Sequence, residues 1–268
     1  MQTVKTKRDK DAYFARLRGH LEHEFRLLRA ALTVADPAER VPSCPAWTAA
    51  DLALHVAHTY LHKVLAIREG ALPEDWPPPG LDPSPLVALD EAYAALIETF
   101  EAHRHGDAAA TWYGPDQTVG FWIRRMCHES AVHRVDAELV AGLELAPIPE
   151  DIAQDGVDEF LTLFLAFMSE VWPDHYAEAL ADADPRPVAI AAGHRAWTVT
   201  AKPEGVSVGE FLVPDESAYV RNEAARISGE PGEMLLWLWG RMDDRVVRST
   251  GDPKLAAQFA EIRKRGTQ

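Results

Sequence analysis

Between residues 10 and 34 the apolar side chains Phe14, Leu17, Leu21, Phe25, Leu28 and Leu32 return at intervals of three and four, the period that gathers them on one face of an α-helix. An apolar face of that length needs a cover, which commits this part of the chain to packing helix on helix. After the Pro-containing connection ADPAERVPSCPA, Thr48 followed by Asp51 three positions later has the form of a capping box; it opens a second helix that Gly70 can close. The stretch ALPEDWPPPGLDPSP at 71–85 carries six prolines and reads as a loop. Ser84 and Pro85 suit the N-cap and first turn of a third helix through DEAYAALIETFEAH, ending near Gly106. A fourth runs from about Gly120 to Ala141, before Gly142. Four long helices joined by polar loops predict an antiparallel four-helix bundle.

Beyond LELAPIPEDI the texture changes. A helix through DGVDEFLTLFLAFMSEVW is followed by PVAIAAG, AWTVTAK and NEAARISG, whose β-branched or alternating patterns and Gly/Pro punctuation read as strands. Helices in EMLLWLWGR and KLAAQFAEIRKR complete the chain. The expected fold class is mainly α with α+β: a four-helix bundle over residues 1–147 and a smaller α+β domain over 148–268.

Composition narrows the partners. With 27 Lys and Arg against 42 Asp and Glu, the net charge is −15; such a chain repels a phosphate backbone, so nucleic acid is not an expected partner. The longest apolar run, LTLFLAFM at 161–168, falls well short of the roughly 20 residues of a membrane span, and the basic N-terminus has no apolar stretch behind it to make a secretory signal. No membrane is expected, and a cytoplasmic location follows. Two cysteines, Cys44 and Cys127, are too few for a disulfide framework. The expected assembly is a monomer or weak homodimer.

On the fourth helix, Trp122, Met126, Glu129, His133 and Val140 share one stripe, flanked by Phe121, Val132, Val135 and Leu139, while Arg124, Ser130, Arg134 and Glu138 point the other way. Glu129 and His133 therefore face the core. A buried carboxylate needs a compensating charge. A divalent cation supplies it, and a Glu and a His one turn apart can reach one ion; a Glu–His or Glu–Arg pair bridging two helices answers the same need. On the second helix Asp51, His55, His58, His62 and Glu69 form another stripe. One of its histidines meeting Glu129 and His133 would complete a three-ligand site with an open position, the arrangement of catalytic zinc. The alternative is a solvated polar face, the better reading for His62; His58 would be a spare ligand or a supporting group.

Two strings carry a resemblance: CPAWTAADLALHVAH (44–58) and FWIRRMCHESAVHRVDAE (121–138). They resemble the metal-binding N-terminal domain of the mycothiol-dependent maleylpyruvate isomerase family, a DinB-like four-helix bundle. The resemblance implies a metal, zinc, held by His55, Glu129 and His133, with His55 placed eight residues after Trp47. Ala46 stands where that motif usually has glycine. SGEPGEMLLWLWGR (228–241) and the following VRSTGD are similar to the family's α+β domain, which makes Arg241 a candidate catalytic residue contacting an acidic substrate or the thiol; a salt bridge or a helix C-terminal charge also accounts for an arginine there. Because the reacting thiol in that family belongs to mycothiol, Cys44 and Cys127 are read as ordinary thiols. The implied function is a zinc-dependent enzyme that adds mycothiol to a small electrophile, giving isomerisation or S-transfer. The alternatives are a metal-dependent hydrolase, with Asp51 or His58 as base, and a non-catalytic metal- or ligand-binding protein.

Overall fold

The computed structural model describes residues 6–212 and 224–267, and the chain divides into two units, Met1–Ala146 and Pro147–Gln268. In the first, helices α1 (Lys7–Val34), α2 (Ala49–Glu69), α3 (Pro85–Ala102) and α4 (Val119–Val140) form the bundle, α1 lying along α4 and α2 along α3. The apolar stripe of α1 is buried from Leu17 to Leu32. Both sides of the Thr48/Asp51 capping box are made, and Gly70 closes α2 in the left-handed region at φ 69°, where a side chain would be strained. Pro85 occupies the first turn of α3, but that helix stops at Ala102, short of Gly106.

A short hairpin, unexpected from the sequence, precedes α2: β1 (Arg40–Val41) pairs antiparallel with β2 (Cys44–Thr48). The CPAWT motif is thus a strand that delivers Thr48 as the N-cap of α2.

The expectation that one side of α4 faces away from the core is corrected. Ser130, Arg134 and Glu138 are buried along with Glu129 and His133, because α1 covers one flank of α4 and α2 another. Arg134, 0% exposed, is compensated by Glu24 of α1, whose Oε2 lies 2.6 Å from Nε, by Glu138 at 2.7 Å, and by the Ala146 carbonyl at 2.7 Å. A guanidinium with this many acceptors can be interior.

In the second unit the long helix expected over residues 155–172 starts earlier and changes pitch: α5 (Glu150–Glu159) runs into a π-helical segment (Phe160–Phe167), then α6 (Met168–Val171). Helix α7 (Pro173–Leu180) follows. The sheet has the order β5-β4-β3-β6-β7. The three expected strands are β3 (Val188–Ala192), β4 (Arg195–Lys202) and β6 (Ala225–Gly229); the first two residues of NEAARISG, like the first five of the chain, lie outside the described residues. Strands β5 (Gly205–Leu212) and β7 (Arg248–Gly251) were not expected. Among the described residues only the β3–β6 pair is parallel. Helix α9 (Pro253–Arg265) covers the expected KLAAQFAEIRKR, whereas α8 (Pro231–Leu238) starts before EMLLWLWGR and stops short of its last three residues, so that Arg241 lies beyond the helix. Among the described residues no helix is long and apolar enough to cross a membrane.

Candidate metal centre

Two helices supply the cluster. His55 sits two turns into α2, and Glu129 and His133 stand one turn apart on α4. One ligand atom from each of the three lies within 4.8 Å of the others. Glu129 Oε1 is 3.4 Å from His55 Nε2 and 3.1 Å from His133 Nε2. Glu129 and His133 are buried and His55 is partly open to solvent, so the cluster has one accessible side.

Each member is held by a neighbour. Arg125, one turn before Glu129 on α4, pairs with Oε2 of that carboxylate and leaves Oε1 to the imidazoles. The Nδ1 of His133 lies 2.9 Å from Asp136 Oδ2; with Nδ1–H donating there, Nε2 keeps its lone pair for the cluster. Ser43, in the hairpin turn, donates to the other oxygen of Asp136. The Trp47 ring packs on His55 at 4.4 Å between centroids.

Charge is unevenly shared. Burial works against ionisation of Glu129, yet the nearby Arg125 and His133 outweigh it and hold the carboxyl well below its usual range. Burial likewise works against charge on His133, but Glu129 and Asp136 raise its pKa. Two carboxylates around one imidazole therefore favour a positive charge at this point, which a proton or a metal ion can provide. Two imidazole nitrogens and one carboxylate oxygen are a donor set suited to a divalent ion such as zinc. The residues fit the group.

Further along, Trp76 from the Pro-rich loop stands edge-on to both His55 and His62, at 6.2 and 5.9 Å. His62 is half-buried rather than on a solvated face. It lies between Trp76 and Trp122. His58 does not join the group. Arg241 belongs to the second unit, just beyond α8, where its Nη1 donates to the Trp239 carbonyl at 2.7 Å. Cys127 is buried and Cys44 partly so.

Arg125 and Asp136 were legible as spacings: each is one helical turn from a cluster residue on the same helix. Ser43 and Trp76 reach the cluster through tertiary structure and left no local signal.

Residues 18–138 match the model of the mycothiol maleylpyruvate isomerase N-terminal domain, and residues 151–258 match that of the MDMPI C-terminal domain. The chain belongs to the mycothiol-dependent maleylpyruvate isomerase family. Its fold is similar to the crystal structure of the mycothiol-dependent maleylpyruvate isomerase, with a TM-score of 0.57 at 15% identity over 88% of this chain and 92% of that one. A histidine-to-alanine variant of that isomerase superposes with a TM-score of 0.58, at the same identity and coverage. No curated protein sequence matches the chain. The family bundle and its α+β companion account for both units, and the three-residue cluster lies within the stretch matched by the N-terminal model.

Proposed function

We propose that the protein is a zinc-dependent enzyme of this family that uses mycothiol as the attacking thiol on a small electrophilic substrate, the outcome being isomerisation or S-transfer. The observation that carries the reading is the convergence of His55, Glu129 and His133 from two helices, with an Nε2, an Oε1 and an Nε2 gathered on one accessible side. Those three residues would hold the metal. A zinc ion bound there would lower the pKa of a coordinated thiol, so that thiolate forms near neutral pH.

The chain's own groups set up that chemistry. Asp136 fixes the His133 tautomer, Arg125 keeps Glu129 presenting a single oxygen, and Trp47 holds the His55 ring. Trp76 stands edge-on to His55 at the side of the cluster and limits the water that reaches a nucleophile there. In the same reading residues 1–147 are the metal-holding domain and 148–268 the smaller family domain. Arg241 is assigned a contact to substrate or thiol on the strength of its place in the family motif.

The test is metal content and turnover measured together. Wild type is expected to hold about one zinc per chain and to consume electrophile only with mycothiol; His55→Ala and His133→Ala are expected to lose both properties. Full activity in either variant sinks the assignment. Turnover in water alone would instead make the protein a metal-dependent hydrolase, and neither reaction, with zinc bound, a binding protein.

A further inference from the structure

The hairpin before α2 does more than deliver a helix cap. Its strands leave only Pro42 and Ser43 between the paired residues Val41 and Cys44, a short connection whose register the strands set and whose Pro42 has its φ fixed by the ring. Val41 is fully buried, so the strand end before the turn is anchored in the core. Ser43 is thereby carried to α4, 93 residues away in sequence, where its hydroxyl donates to Oδ1 of Asp136. Asp136 is itself 0% exposed, and its other oxygen lies 2.9 Å from His133 Nδ1.

The same hairpin reaches the other histidine. The ring of Trp47, on β2, is centred 4.4 Å from that of His55 and 6.1 Å from that of His133. One hairpin therefore bears on both imidazoles of the cluster, directly at His55 and through Asp136 at His133. The torsion that orients an aspartate carboxylate is soft. A donor on each oxygen holds it in one plane, and the hydrogen bonds of such a chain support one another. The line from Ser43 through Asp136 thus governs where His133 aims Nε2, the nitrogen 3.1 Å from Glu129 Oε1.

We propose that Ser43 is a positioning residue of this centre: by holding Asp136 it sets the direction of the His133 Nε2 lone pair and ties that direction to the hairpin that also packs on His55. This rests on the functional reading above for the metal that the two histidines would hold.

The experiment compares Ser43→Ala, Ser43→Val and Ser43→Thr with wild type in the full chain by two readouts. One is zinc affinity, from competition with a chromophoric chelator. The other is solvent exchange of the His133 Nδ1–H proton, followed by nitrogen-edited NMR on metal-free and on zinc-loaded protein. Wild type is expected to show that proton protected. Ser43→Ala and Ser43→Val should each weaken zinc about tenfold, the lower end of what supporting hydrogen bonds contribute, and speed the exchange by a similar factor. Ser43→Thr, which differs from the valine variant by the hydroxyl, should stay within about threefold of wild type on both counts. Circular dichroism is expected to be unchanged. Wild-type zinc affinity and exchange in Ser43→Ala overturn the proposal, as does an unprotected Nδ1–H in wild type; a lower thermal midpoint with both readouts unmoved makes Ser43 an anchor of the hairpin instead. If Ser43→Ala does not fold, the Thr and Val pair decides by the same readouts. If wild type holds no zinc, the metal reading fails, and the exchange rate on metal-free protein still decides whether Ser43 acts on the imidazole.

Discussion

At the scale of single residues, the most exacting arrangement is the pair of carboxylates around His133. Asp136→Asn removes the acceptor that selects the His133 tautomer, and supporting groups of this kind typically contribute 10- to 100-fold in metal affinity. A zinc-competition titration is expected to show a loss in that range with the helix content intact. Arg134 is a structural counterpart. Arg134→Met leaves Glu24 and Glu138 buried without their cation, a change that costs about 3–5 kcal/mol, to be read by denaturant unfolding; replacing Glu24 by leucine in the same chain should recover part of it. The acid limb of stability follows from the same network. Burial raises the Glu24 carboxyl, but His20 and Arg134 together bring it below the ordinary value. A carboxyl whose folded pKa is depressed contributes stability above its unfolded pKa and loses it as pH falls through the folded one. Wild type should therefore lose stability steadily below about pH 4.3, and Glu24→Gln should show a flatter acid limb with lower stability at neutral pH. Glu129 and His133 were legible from sequence as a carboxylate and an imidazole one turn apart on a core-facing stripe. Arg134 was not, since a helical wheel divides a helix into two faces and α4 is covered on more than one side.

Elements differ in how openly the sequence declares them. The bundle helices announce themselves through long apolar periods and through caps, so their ends fall within a few residues of where Thr48, Gly70 and Pro85 place them. Thr48→Ala removes the hydroxyl that accepts from the Asp51 N–H, while the backbone N–H at 48 can still donate to the Asp51 carboxylate; it is expected to cost about 0.5–2 kcal/mol, seen as a lower thermal midpoint with zinc stoichiometry unchanged. Gly120, in the first turn of α4, has no room for a side chain: a Cβ would lie 2.7 Å from the Phe14 ring and 2.8 Å from the His105 carbonyl oxygen. Gly120→Ala should destabilise the bundle for that reason, since the carbonyl is backbone and does not yield easily. Strands β5 and β7 escaped notice because β5 contains glycines that weaken a strand pattern and β7 is a four-residue edge strand exposed throughout. The π-helical segment was hidden for another reason. FLTLFLAF is apolar nearly all round, and an apolar run carries no phase from which a change of helical pitch can be read.

On the scale of the whole chain, the first unit gathers the candidate ligands while the second contributes the α+β fold that completes the family pattern. A metal bound to the folded state and not to the unfolded chain stabilises it by about 2.7 kcal/mol when free metal is 100 times its dissociation constant. Adding a chelator should accordingly lower the thermal midpoint of the wild-type protein and leave that of His133→Ala where it was, measured by scanning calorimetry. The division of labour around the cluster has a consequence for how such a protein can change over generations. The ligands and their supports sit on two long helices and a hairpin, where almost any substitution disturbs packing, whereas Trp76 is 55% exposed on a segment outside any helix or strand. Mutational drift in residues 71–84 can reshape what enters the candidate site without loosening the residues that form it, so one inherited frame can be refitted to new chemistries at little cost to its own integrity.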